Sequence, residues 1–86
     1  MDKIKGWNRR MEKVRYGDMW VNQYTYKIND SVIGIVTKNP YTDKYETRAS
    51  DFINHKYILD NFDKLSEARQ FISDYAKVYM RANPNG

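Results

Sequence analysis

The hydrophobic period of this chain changes once, near residue 60. Upstream, apolar residues recur in short alternating runs between turn signals. Downstream, they follow one helical stripe. Such a division predicts strands first and one long helix last, with the helix burying its stripe on the sheet.

The helix is predicted over about residues 63–82. Leu65, Ala68, Ile72, Tyr75, Tyr79 and Ala82 recur at three- and four-residue spacing, widened by Phe71, Ala76 and Val78. Lys64, Glu67, Gln70, Ser73, Asp74, Lys77 and Arg81 fall on the opposite, solvated face. Asp63 is the expected N-cap, its carboxylate accepting from an orphan amide of the first turn. Asn83-Pro84-Asn85-Gly86 is expected to stop the helix and fray.

The first half predicts an antiparallel meander of three to five strands. Trp20, Tyr24, Tyr26 and Ile28 alternate with Val21, Gln23, Thr25 and Lys27, as in a half-buried strand. Asn29-Asp30-Ser31 fits a glycosylation sequon but reads as the turn into Val32–Lys38. That second run is apolar on both faces and is expected to be central, with Gly34 marking a close approach of the helix. Asn39-Pro40-Tyr41-Thr42-Asp43 reads as a loop, and Lys44–Ala49 as a further strand. Ile53–Leu59 is the next candidate, with Ile53, His55, Tyr57 and Leu59 on one face. Met11–Tyr16, before the Gly17-Asp18 turn, reads as a first, edge strand, and residues 1–10 form an N-terminal segment without a clear period. The fold class is therefore α+β: one domain of 86 residues with a sheet on one C-terminal helix.

Several chemistries lack their residues. With no cysteine there is no thiol nucleophile, and the cysteine count suits a reducing, cytoplasmic location. A lone histidine, His55, supplies neither a zinc ligand set nor a favoured triad, and is read as a strand histidine facing solvent or capped by Asp51. The four glycines are too scattered for a phosphate loop. Asp51, Asp60 and Asp63 approach one end of the expected sheet, yet suit turns and a helix cap better than a cation. No catalytic residue, metal or cofactor is expected. Neither is a secretory leader or a membrane span, since the longest apolar run is Val32–Val36.

Charge carries the functional expectation. Residues 1–27 hold Lys3, Lys5, Arg9, Arg10, Lys13, Arg15 and Lys27 against Asp2, Glu12 and Asp18, which accounts for the whole +4 of the chain. Arg9, Arg10, Lys13 and Arg15 are candidate phosphate contacts. Trp7 and Tyr16 are candidate stacking residues, with Trp20 interleaved nearby. On an edge strand, Met11, Lys13 and Arg15 share one face, and Val14 and Tyr16 the other. Trp20–Ile28, followed by Phe62-Asp63-Lys64-Leu65-Ser66-Glu67-Ala68-Arg69, resembles the strand and helix start of plant AP2-type and phage-integrase arm-type DNA-binding domains. That resemblance implies a three-stranded sheet set against the major groove. It covers only these segments, and the separation of Trp20 from Phe62 is longer than in those families.

The sequence thus points first to a small non-catalytic module contacting nucleic acid. The competing expectation is a protein-binding module, such as a virus-encoded inhibitor of a host enzyme or defence complex, with Tyr41 and Tyr45 flanking an exposed loop tip. A homodimer through the edge strand or the Trp7 segment fits either.

Overall fold

A computed structural model describes residues 6–83. Five strands, β1 (Trp7–Tyr16), β2 (Met19–Ile28), β3 (Ser31–Lys38), β4 (Tyr45–Asp51) and β5 (Lys56–Phe62), form one antiparallel meander in sequence order. The helix α1 (Leu65–Ala82) follows and packs on β3, β4 and β5. This is the α+β architecture that the change of period predicts, with β3 central and β1 at an edge.

Two-residue turns set the first two hairpins. Tyr16 faces Met19 across Gly17-Asp18, and Ile28 faces Ser31 across Asn29-Asp30. The first residue of each turn, Gly17 (φ 61°) and Asn29 (φ 54°), adopts the left-handed conformation that glycine and asparagine tolerate. β1 starts at Trp7, inside the stretch without a clear period, because Trp7 pairs with Ile28 and stacks on Tyr26 at 5.7 Å.

The core lies between α1 and one face of the sheet. Tyr26, Ile28, Ile33 and Val36 meet Ala68, Ile72, Ala76 and Tyr79 there. A register shift between Tyr26 and Lys27 lets β3 turn both Ile33 and Gly34 into this layer. At Gly34 the helix comes close: an added methyl would lie 2.6–2.8 Å from side-chain atoms of Ile72.

Several local expectations are corrected. The N-cap is Lys64, not Asp63: Glu67 accepts from the Lys64 backbone N–H, at 3.2 Å, while Asp63 pairs with Lys44. Lysine has no acceptor, so the glutamate alone closes this end. Ile53, Asn54 and His55 form a turn, with His55 at φ 56° and exposed, so β5 starts three residues later than expected. Ile53 and His55 therefore do not share a strand face with Tyr57 and Leu59. Asp51 shapes this turn by accepting from the Ile53 and Asn54 amides at 3.0 and 3.1 Å and from Asn54 Nδ2 at 2.8 Å. Asp51 pairs with Lys56 and Tyr45 with Phe62, so Asp51 and Asp63 lie at opposite ends of the β4–β5 hairpin. The sheet also has five strands where the DNA-binding resemblance implies three: β3, β4 and β5 fill the interval between Trp20–Ile28 and the helix. Lys3, Lys5 and Pro84-Asn85-Gly86 lie outside the described residues.

Gly34→Ala gains about 0.5–1 kcal/mol of strand preference. It also forces a methyl into Ile72, at about 1–3 kcal/mol. The clash wins, so urea unfolding should show net destabilisation, and combining the change with Ile72→Ala should cost less than the two single effects added together.

Hydrogen bonds from Asn54 and Ile53 hold the Asp51 carboxyl below the ordinary aspartate range. Its folded pKa lies under the unfolded value of about 3.9. The associated stability is present above that value and is lost as pH falls through the folded pKa. Asp51→Asn should lower the melting temperature at neutral pH, and the gap to wild type should close below about pH 4.

Candidate nucleic-acid interface

Strand alternation divides β1 between two surfaces. Trp7, Arg9, Met11, Lys13 and Arg15 share the face on the α1 side of the sheet, opposite Ile28, Tyr26, Tyr24, Asn22 and Trp20 of β2. Asn8, Arg10, Glu12, Val14 and Tyr16 share the other face.

The far half of this hairpin leaves the main sheet. β2 pairs with β3 only from Gln23 onward, so Lys13–Tyr16 and Met19–Asn22 pair solely with each other. The ribbon then turns its second face inward. The Tyr16 hydroxyl donates to Glu46 at 2.8–2.9 Å and accepts from Asn39 Nδ2 at 2.9 Å, which also donates to Glu46. Asn39 Oδ1 accepts from the Tyr41 and Thr42 amides and so orders the β3–β4 loop. The Tyr41 ring lies 6.2 Å from that of Tyr16, with its hydroxyl at the Gly17 turn. With Tyr16 and Val21 turned in, the first face is turned out: Trp20 is 64% exposed, and Met11, Lys13 and Arg15 are exposed beside it.

That outward face alternates cations with rings. The Arg9 guanidinium sits 5.3 Å from the Tyr24 ring centre, and Arg15 sits 5.9 Å from Trp20. Each such contact at an exposed site is worth about 0.5–1 kcal/mol, enough to help orient a guanidinium; Arg15 Nε also donates to the Gly17 carbonyl at 3.1 Å. The ion pairs among the described residues are Lys38–Asp43 and Lys44–Asp63. None of the β1 cations is neutralised by an acid there.

The expected site residues therefore separate. Trp7, Arg9, Lys13 and Arg15 come together. Arg10 lies on the opposite face. Tyr16 is tied to Glu46, whose hydrogen bond and charge raise the phenol's pKa and keep it protonated. Trp7 is half-buried against Tyr26, and the ring most open on this face of the hairpin is Trp20. Trp20 and Tyr24 were not singled out as partners of these cations; the signal for Trp20 is the two-residue turn at Gly17-Asp18, whose register sets Trp20 opposite Arg15. Of the loop pair, Tyr41 is exposed, whereas Tyr45 opens β4, packs on the core margin and lies under Lys38.

The open face of the sheet, away from α1, carries a second surface. Val32, Tyr57 and Leu59 are exposed on it, with Arg48 stacked 5.6 Å from the Tyr57 ring. Among the described residues no group of His, Cys, Asp and Glu is arranged to hold a metal ion, and no helix is long and apolar enough to cross a membrane.

Comparison with known protein families, curated proteins and solved structures finds no significant match.

If Tyr16 is the clasp that turns this ribbon, Tyr16→Phe should leave the core intact but speed amide exchange around the Gly17 turn. Unchanged protection there would show that the hydroxyl holds nothing in place.

Proposed function

We propose that this protein is a non-catalytic nucleic-acid-binding module whose contact surface is the outward face of the β1–β2 hairpin. One observation carries the reading: Arg9, Lys13 and Arg15 project from the same side of one strand, beside Trp20 and Tyr24, with no carboxylate paired to them among the described residues. Every second residue of an extended strand is about 6.6–6.8 Å further along. That is close to the spacing of successive phosphates on one strand of a nucleic acid, so Lys13 and Arg15 can track a backbone while Trp20 offers its face to a base. A two-stranded ribbon of this width also fits a DNA major groove. Three of the carboxylates have structural partners: Asp51 in its turn, Glu46 with Tyr16, and Asp63 with Lys44.

A protein partner is the second reading. The exposed apolar side chains of Val32, Tyr57 and Leu59 on the open face favour it, as does Tyr41 at the loop tip.

Fluorescence anisotropy with labelled single-stranded and duplex DNA and RNA, at two salt concentrations, separates the readings. Binding with a dissociation constant of about 1–100 μM at low salt is expected. Arg9→Ala, Lys13→Ala and Arg15→Ala should each weaken it and lower the salt slope by about 0.7–0.9. Arg10→Ala, on the other face, should change it far less. Binding weaker than about 100 μM at low salt, or equal losses from all four substitutions, contradicts the proposal.

A further inference from the structure

A groove of about 470 Å³ runs between α1 and the start of β1, lined by Trp7, Arg9, Tyr26, Ser66, Arg69, Gln70 and Ser73. Two of these side chains are cations and none is an acid. The nearest helix carboxylates are occupied: Asp74 accepts from Gln70 Nε2 at 3.1 Å, and Glu67 from the Lys64 amide.

Tyr26 makes this groove unusual. Its side chain is 2% exposed, and its hydroxyl oxygen has no hydrogen-bond partner. A buried, unpaired hydroxyl is costly, and natural proteins rarely keep one without a use. Burial raises its pKa, while hydrogen bonding from the adjacent Arg9 guanidinium and the charges of Arg9 and Arg69 act the other way; a guanidinium only donates, so the phenol's own proton has no acceptor. Two guanidinium groups from different elements thus converge on an unused donor, with the Ser66 and Ser73 hydroxyls at the rim. Donors in excess, with no carboxylate between them, call for an anion with several oxygens. Trp7 stacks one ring face on Tyr26 and can offer the other to whatever the anion carries.

We propose that this groove is a phosphate seat: Arg9 and Arg69 clamp the phosphate, the Tyr26 hydroxyl donates to one of its oxygens, and Ser66 and Ser73 complete the shell. The proposal rests on the nucleic-acid reading for the source of the phosphate, a backbone group of a bound strand. A free nucleotide presents the same chemistry. Arg9 is the residue common to seat and ribbon, so the seat continues the row of Lys13 and Arg15 onto the helix. Because the Tyr26 hydroxyl is shielded from water, side chains lining the groove must shift slightly for the phosphate to reach it, and Arg9 and Arg69 are exposed.

The test is a proton–nitrogen NMR titration of the full chain with inorganic phosphate against chloride at equal ionic strength. Saturable shifts are expected at Ser66, Arg69, Ser73 and the Trp7 indole, with millimolar affinity. Arg69→Gln should weaken phosphate binding about tenfold. Tyr26→Phe should weaken it also, with little change in the melting temperature in phosphate-free buffer, since the buried hydroxyl proton has no acceptor there. Should Tyr26→Phe fail to fold, exposed Arg69 still decides the matter. An oligonucleotide with internal phosphates only that displaces inorganic phosphate assigns a strand as the source. Displacement by adenosine monophosphate alone assigns a free nucleotide. No saturable shift up to about 50 mM phosphate, or equal binding by wild type and Arg69→Gln, overturns the seat. Oligonucleotide binding that persists in that case, and still depends on Lys13 and Arg15, leaves the ribbon reading standing. Loss of both removes both.

Discussion

The seating of α1 on the sheet governs the rest of the molecule. A helix is about 10 Å across, and five strands at about 4.8 Å spacing span nearly twice that. One helix cannot cover such a sheet. Gly34 decides where it sits: with no side chain there, Ile72 drops onto β3, and α1 lies over β3, β4 and β5. The α1-side face of β1 and of the far half of β2 is left to solvent. On that face of β1, the cations Arg9, Lys13 and Arg15 alternate along the strand with Met11 between them. Elongation follows as well: the radius of gyration is 13.1 Å, against about 12 Å for a compact chain of this length.

The same geometry separates two jobs that the sequence runs together. Arg9, Arg10, Lys13 and Arg15 read as one basic segment, but a strand has two sides. Tyr16 and Val21 hold the ribbon down, through Glu46 and Asn39 in the case of Tyr16. Arg9, Lys13 and Arg15 are held up. Holding the hairpin at its tip limits the conformational freedom that cations on a free arm would lose on meeting a ligand. The groove beside α1 adds Arg69, far away in sequence, to the same row.

The change of period near residue 60 made the architecture legible, because long helices and alternating strands bury different residue spacings. The approach at Gly34 was legible from the strand pattern too: a glycine inside an apolar run marks a place where a neighbour leaves no room for a side chain. The N-cap was not, because Asp63 has a competing partner in Lys44, across the end of the β4–β5 hairpin. The turn at Ile53–His55 was hidden by apparent alternation: Ile53 looks like a strand residue, and only the Asp51 hydrogen bonds show why the chain turns there. The cations and Trp7 of the candidate surface could be read from the sequence. Trp20 as their partner needed the hairpin register, and the groove at Tyr26 needed the placement of α1 over the sheet.

The central claim is that one face of the β1–β2 hairpin meets nucleic acid. Its most direct test is a map of backbone and tryptophan indole NMR shifts on adding a short single-stranded oligonucleotide at low salt. Arg9, Met11, Lys13, Arg15, Trp20 and Tyr24 are predicted to move together, while Val32, Tyr57 and Leu59 stay still. Shifts centred on the open face of the sheet, or none at all, would contradict the claim.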